Sequence, residues 1–357
     1  MSETAGSPTS DPRLPAARLR RFASSSFLAV GLPKKDAATC AELMVRADLH
    51  GADGHGIFRL PQYIRRIKGG AVNVKSKPRV VREAAGMALV DGDNGMGHLV
   101  MGFAANTAIR KAKKAGAAWV GVRNSNHAGP ASLYAAMPLE HDMIGLYLAV
   151  GNANHMAPWG GIDLLLSTNP IAIAVPAMKE KPVVLDMATT VAAYGKVKTA
   201  AQRGETMPEG WMIDHYGRPL TDPKRAAEGL LVPIGGYKGY GLAFMFSLLA
   251  GTLNGAAAGS ETVDFNADDH SPTNTGHAIV ALSIARFGKI AEFKRRVDKL
   301  VRELRGSRRM PGVERIWLPG ERTREKFEER SKLGVPLPEA LRTSLDKLAG
   351  ELKIPAL

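Results

Sequence analysis

Cysteine is almost absent from this chain: Cys40 stands alone among 357 residues. That excludes an intramolecular disulfide and a multi-cysteine metal site, and it favours a reducing cytoplasm with the thiol in a packing role. Long apolar runs are lacking too. The longest, "GLAFMFSLLAGTL" over 241–253, is too short to cross a bilayer and reads as a buried helix. The opening "MSETAGSPTSDPRLP" has no apolar core of the kind a secretory signal needs, and its polar, Pro/Ser-rich composition predicts a disordered lead-in over 1–13. Acidic residues are in deficit, 34 against 48 Lys and Arg, for a formal net charge of +14. A basic face suits nucleic acid, but here the surplus is concentrated. Residues 286–357 hold 19 cations against 11 anions, and in "AEFKRRVDKLVRELRGS" Phe293, Val297, Leu300, Val301 and Leu304 recur at helical spacing with cations between them. That is the pattern of an amphipathic helix with a solvated basic face, and no zinc-finger, RNP or basic-zipper pattern accompanies it.

The usual signatures of cofactor and metal enzymes are missing as well. A doubly wound dinucleotide fold needs G-x-G-x-x-G between a strand and a helix. The nearest stretch, "DGDNGMGHLVMG", follows the strand "MALVD", but after Gly95 and Gly97 the third glycine position is Val100. There is no G-x-x-x-x-G-K-[ST] phosphate loop, no H-E-x-x-H and no G-x-S-x-G, so no metal site is expected despite nine histidines.

What is present reads as α/β. Residues 14–70 carry helical periodicity, with Asp36 as a candidate cap, Gly51 as a stop and a second helix starting near Gly56 that tolerates Pro61 in its first turn. From residue 79 the pattern turns to short apolar strands, "MALVDGD", "AAWVGVRN", "MIGLYLAV", "IAIAVPA" and "PVVLDMA", with a helix over about 99–114. The glycines of "PIGGYKGYGLAFM" surround Lys238 just before the apolar run. Glycine lets backbone approach a ligand and a helix start attracts anions, although a tight turn explains the same residues.

Four segments in order resemble the malate/L-lactate dehydrogenase family: "RADLHGADGHGIFRLPQY", "GVRNSNHAGPASLYA", "APWGGIDLLLSTNPIAIAVP" with "VLDMATTVAAYGKV", and "PIGGYKGYGLAFMFSLLAGTLNG". The resemblance spans about 15–335. It implies a non-Rossmann NAD(P)-binding fold of the L-sulfolactate dehydrogenase-like type with a helical lobe built from both termini, working as a homodimer. On that frame the helical lobe takes 14–75 with 291–357, an α/β substrate-side segment takes 76–128, and the cofactor-binding domain takes 129–290. The implied activity is hydride transfer between NAD or NADP and a small anionic substrate, a 2-hydroxy acid interconverting with a 2-oxo acid, or else a cyclic 2-imino acid being reduced. A catalytically impaired relative acting as a basic binding protein is the distant alternative.

Carried over residue by residue, His127 and His55 are the candidate proton-transfer groups. Histidine titrates near neutrality and can give and retake a proton. Arg59 is the carboxylate clamp, because a guanidinium grips a carboxylate with two hydrogen bonds. Asn126, Thr168 and Asn169 line the substrate side. Asp186, Met187, Ala188, Tyr237, Lys238, Gly320, Glu321 and Arg322 match segments that contact the dinucleotide. Plainer roles stand beside these: His55 as a polar joint, Asn169–Pro170 as a turn, Asp186 as a cap and "LPGER" as a Pro-Gly turn. Two departures stand out: Gly54 replaces the serine that usually precedes the first histidine, and Tyr237 stands where relatives often show histidine.

Overall fold

The computed structural model describes residues 11–357, apart from the side chains of Gln202 and Arg203. Most of the expected lead-in over 1–13 therefore lies outside the described residues. Strand β1 (Arg13–Leu14) and helices α1 (Ala16–Ala29), α2 (Lys34–Leu49) and α3 (Leu60–Lys68) precede β2 (Arg79–Glu83) and β3 (Met87–Asp91). Helix α4 (Gly97–Ala115) leads to β4 (Ala117–Ser125), the single turn α5 (Ser132–Ala135), β5 (Met143–Ala149), β6 (Ile171–Val175) and β7 (Val183–Met187). There follow α6 (Tyr194–Arg203), β8 (Met212–Asp214), β9 (Gly229–Leu231), α7 (Tyr237–Phe246) and β10 (Thr275–Ser283). The chain ends with α8 (Ile290–Arg305), α9 (Glu321–Leu333), β11 (Val335–Pro336) and α10 (Glu339–Leu352). It divides into two compact units, one running to Lys68 and resuming at Arg322, the other spanning Gly69–Glu321.

In the first unit β1 pairs antiparallel with β11, which ties the two ends of the chain together. Leu19, Phe22 and Phe27 of α1 and Met44 and Val45 of α2 are buried. Helix α2 follows Pro33, so Asp36 sits within its first turn and does not cap it; proline's fixed φ already suits a helix start. The helix stops at His50 because Gly51 turns with φ +76°. The helix expected from Gly56 begins only at Leu60, behind two short 3-10 turns at Asp53–His55 and Ile57–Arg59.

The second unit is built on a seven-stranded sheet in the order β2-β3-β4-β10-β5-β6-β7. Only β3 and β4 run parallel, with α4 as the crossover; every other pair is antiparallel. Helix α4 buries Val100, Met101, Ala104, Ala105, Ala108, Ile109 and Ala112, a stripe of mostly small residues. The registers decide where function can gather. Ser125 faces Thr275, Ala149 faces His277, Leu148 faces Ile171, and Ile171 faces Met187. The ends of β4, β5 and β7 and the starts of β6 and β10 thus lie together at one end of the sheet.

Two expectations about helices need correcting. The apolar run 241–253 buries only part of its surface, since Ala243, Phe246 and Ala250 are buried while Leu242, Phe244, Met245 and Leu253 are exposed. A run that is apolar all round turns apolar residues outward as well as inward. In α8 the buried residues are Asp298 and Val301, while Leu300 and Leu304 stay open. Asp298 sets that rotation by accepting the backbone N–H groups of Met178, Lys179 and Glu180 at 2.9, 2.8 and 3.2 Å. Burial alone would raise its pKa, yet these donors hold the carboxyl below its usual range.

Candidate active site

Strand β4 runs into the turn Ser125-Asn126-His127-Ala128, and three of its four carbonyls accept side-chain hydrogen bonds. Thr273 Oγ1 donates to Ser125 O at 3.1 Å, Ser125 Oγ to Asn126 O at 3.4 Å and Tyr134 Oη to Ala128 O at 2.5 Å. The Asn126 carboxamide nitrogen shares its two hydrogens among Asn94 O, Asn94 Oδ1 and Gly95 O at 3.0–3.2 Å, and Asn126 Oδ1 competes with Ser125 O for the one Thr273 hydroxyl hydrogen, at 3.1 Å. Asn126 is 5% exposed, so it works on His127 through the turn. A Cβ at Gly97 would lie 2.1 Å from Asn126 O and 2.5 Å from His127 O. The failed fingerprint "DGDNGMGHL" thereby finds its use: its last glycine lets the start of α4 reach this backbone. His127 itself is half-buried and stacks on Phe265, ring centroids 5.0 Å apart.

Two of the segments marked for the cofactor, Asp186–Ala188 and Tyr237–Lys238, meet at the end of β7 on this side of the sheet, whereas Gly320 packs near the start of β7. Thr189 donates both its amide and its hydroxyl to Thr168 O at 2.9 Å. Ile234 N donates to Thr189 O at 2.9 Å, which ties the lead-in of α7 to the end of β7. Asn169 is fully buried: Oδ1 accepts from Gly151 N, and Nδ2 donates to Ala243 O and Ser247 Oγ, all within 3.0 Å. Its carboxamide thus ties the Gly151 backbone to α7 and Ser247. Asp186 accepts the amide of Ser132 at 2.8 Å. Part of its side chain stays open, but protein packed round the carboxyl raises its pKa against the hydrogen bonds from Ser132. Met187 and Ala188 follow it, half-buried, while Tyr237 and Lys238 are exposed in the first turn of α7. Gly320, φ +90°, presses on Val184, where a Cβ would lie 2.9 Å from Val184 O. The Glu321 carboxylate is engaged by Arg305 at 2.8 Å and Arg315 at 3.4 Å, and Arg322 starts the return of the chain into the first unit.

His55 and Arg59 belong to the first unit. They sit in successive 3-10 turns and not on one helical face, because the backbone is pulled inward between them. Ile57 N donates to the buried carboxylate of Asp48 at 2.8 Å, and a Cβ at Gly56 would overlap that carboxylate. Arg59 Nε donates to Gly54 O at 2.8 Å and Nη1 to Gln62 Oε1 at 2.7 Å. The corner is braced from α9. Arg330, 7% exposed, reaches Asp48 O at 2.5 Å and both carboxylate oxygens of Asp53. Crowding first, then the Arg59 cation, lowers the His55 pKa to about 4. No α-helix begins at His55, so a helix dipole adds nothing to that shift.

The whole of residues 14–346 matches the malate/L-lactate dehydrogenase profile. The chain belongs to the malate/L-lactate dehydrogenase family. As a member it is an NAD(P)-dependent oxidoreductase of hydroxy acids, with the family's non-Rossmann fold. It is 37% identical to a malate dehydrogenase of Pyrococcus horikoshii over 97% of each chain. The structure of that archaeal protein superposes with a TM-score of 0.91 over the full length of both. An L-sulfolactate dehydrogenase of Methanocaldococcus jannaschii is 39% identical over 90% of this chain and 92% of its own. A Δ1-piperideine-2-carboxylate reductase structure from Pseudomonas syringae shares 28% identity at a TM-score of 0.82, covering 95% of this chain and 100% of its own.

The residues present fit a nicotinamide dinucleotide. Gly235 and Gly236, with φ +59° and +66°, turn the backbone sharply into α7, whose first-turn amides lack intrahelical acceptors and stand beside the Lys238 ammonium. That donor set suits a pyrophosphate, and the Asp186 carboxylate suits ribose hydroxyls. Among the described residues no group of three or more His, Cys, Asp and Glu gathers as a metal site, and no helix is long and apolar enough to cross a membrane.

The groups that brace the two histidines are not marked out in the sequence as site residues. Thr273 and His277 were visible as polar residues flanking or interrupting the apolar strand run "HAIVALS". Arg330 and Phe265 carried no local signal, because each is brought in from distant chain.

Proposed function

We propose that the chain interconverts a 2-hydroxy acid and its 2-oxo acid, with His127 moving the proton and Arg59 gripping the substrate carboxylate. The observation that carries this reading is the convergence at one sheet end: the anchored His127 turn, Thr168, Asp186 and the start of α7 with Lys238. There Asp186, Met187, Ala188, Tyr237 and Lys238 hold the cofactor, with Gly320, Glu321 and Arg322 contributing from the segment after α8. When bound, the nicotinamide supplies the hydride for the 2-oxo carbon. His127 gives its proton to the carbonyl oxygen in reduction and takes it back in oxidation. His55, the other candidate for this proton transfer, is neutral at pH 7 and has one N–H to offer a substrate oxygen. Arg59 fixes the reacting carbon through a bidentate carboxylate contact, its own orientation set by Gly54 O and Gln62.

The working form is a homodimer in the cytoplasm. Leu242, Phe244, Met245, Leu248 and Leu253 leave an apolar face open in the second unit. Trp159 beside Gly236 extends it, and a second copy of this chain is the partner that covers it. Phe244→Glu then yields monomers by light scattering; a dimer unaffected by that change removes this face from the interface. A cyclic 2-imino acid is the second reading, supported by the similarity to the piperideine carboxylate reductase. A panel of 2-oxo acids and cyclic 2-imino acids with NADH and NADPH separates the two. Cofactor oxidation by neither class contradicts both.

A further inference from the structure

Three polar side chains bonded in line are buried in neighbouring central strands: Tyr147 on β5, His277 on β10 and Ser125 at the end of β4, at 2%, 1% and 0% exposure. Tyr147 Oη lies 2.7 Å from His277 Nδ1, and His277 Nε2 lies 3.2 Å from Ser125 Oγ. Ser125 Oγ in turn lies 3.4 Å from Asn126 O. A bulge in β10 between Thr275 and His277 presents the imidazole to both neighbours, and Gly276 permits it, since a Cβ there would lie 2.2 Å from Ala250 O.

Proton counting decides how this chain runs. Burial raises the Tyr147 phenol above its usual range, so it keeps its proton, and Nδ1 is its acceptor. Were the imidazole proton on Nδ1, the phenol proton would be buried with nothing to accept it. Ser125 would then spend its one hydrogen on Nε2 and abandon Asn126 O. With the proton on Nε2, each donor has an acceptor: Tyr147 O–H to Nδ1, Nε2–H to Ser125 Oγ, Ser125 O–H to Asn126 O. A doubly protonated ring is disfavoured by the same burial, which pushes the His277 pKa down to about 3.

We propose that His277, held as the Nε2–H tautomer between Tyr147 and Ser125, is a positioning residue that orients the Asn126–His127 turn for proton transfer. This rests on His127 being the proton-transfer group. A one-way chain ends on the carbonyl of the peptide bond that carries His127, so the imidazole fixes the plane from which His127 projects. Other bonds hold the turn in place, whereas this one sets its direction.

The test pairs kinetics with a direct view of the ring. His277→Phe removes the Nε2 donor and lowers kcat by about 10- to 100-fold, the size expected for a misaligned reacting group. NADH affinity by fluorescence stays unchanged, and the solvent deuterium isotope effect on kcat rises as proton transfer becomes limiting. His277→Gln, whose amide N–H replaces Nε2–H, restores kcat to within about threefold of wild type. If the Phe variant does not fold, Ser125→Ala cuts the same link and gives the same split between kcat and NADH affinity. Either folded variant keeping wild-type kcat and isotope effect overturns the proposal. In 15N-histidine-labelled protein, the His277 signal, assigned by its loss in His277→Gln, shows Nε2–H from pH 5 to 8; an Nδ1–H ring overturns the proposal independently of activity. Failure of the underlying reading looks different: His127→Asn then keeps full kcat while the ring remains Nε2–H.

Discussion

The two histidine corners are built on opposite electrical principles. Round His55 the bracing is ionic: Arg330 bridges Asp53 and the Asp48 carbonyl, the Asp48 carboxyl is buried, and Arg59 stands alongside. Round His127 it is neutral, with threonines, serine, asparagines, tyrosines and His277 bonded through a sheet interior. A charged corner can meet an anionic substrate but responds to salt and pH. A neutral network holds geometry while charge changes elsewhere, which suits the proton-transfer role proposed for His127.

The largest expected effect separates the two histidines. His127→Asn lowers kcat on the order of 100- to 10,000-fold, the contribution of a general acid or base, while His55→Asn lowers it about tenfold, as loss of one hydrogen-bond donor does. Steady-state rates on both variants check this, and the reverse order would exchange their roles. Next in size is Arg59→Lys. Replacing a bidentate clamp with a point charge raises KM for the acid about 10- to 100-fold, with little change in NAD(P)H affinity. An equal loss of cofactor binding would place Arg59 elsewhere.

Smaller effects bear on stability. Arg330→Met costs about 2 kcal/mol in urea unfolding, less than breaking a fully buried pair because Asp53 stays open to water. It also raises KM for the acid more than it lowers kcat. The pH dependence carries opposite signs in the two corners. The His277 pKa falls to about 3, so the folded protein binds fewer protons than the unfolded chain between there and 6.5; the stability this gives is present above 6.5 and is lost as pH falls. Between pH 7 and pH 5 that loss is about 2 kcal/mol, and His277→Gln removes it. Asp48, raised well above its usual 3.8, acts the other way. Its contribution is complete below that value and is lost as pH rises, so Asp48→Asn gains on wild type with increasing pH. Unfolding curves at pH 4, 5, 6 and 7 read both slopes, and parallel slopes in variant and wild type would contradict the assignment.

The sequence showed where the corners are more readily than what braces them. Strand and helix order, Gly51 as a stop and Pro61 in a first turn followed from local chemistry. The start of α3 did not, because Asp48 draws in the Ile57 amide from nine residues away and delays the helix to Leu60. The facing of α8 was misread for a related reason: a buried aspartate satisfied by a distant turn outweighs two leucines. The motif residues stood out, yet the bonds of the Asn126 and Asn169 carboxamides to backbone and to Asn94, Thr273 and Ser247 are visible only in the fold.

The most direct test of the account follows deuterium from NAD(P)H carrying deuterium at both C4 positions in single turnovers with a 2-oxo acid, in wild type and in His127→Asn. The account predicts label at C2 of the hydroxy acid, with transfer at least about 100-fold slower in the variant and NAD(P)H binding unchanged. Unlabelled product, or equal rates in the two proteins, would contradict it.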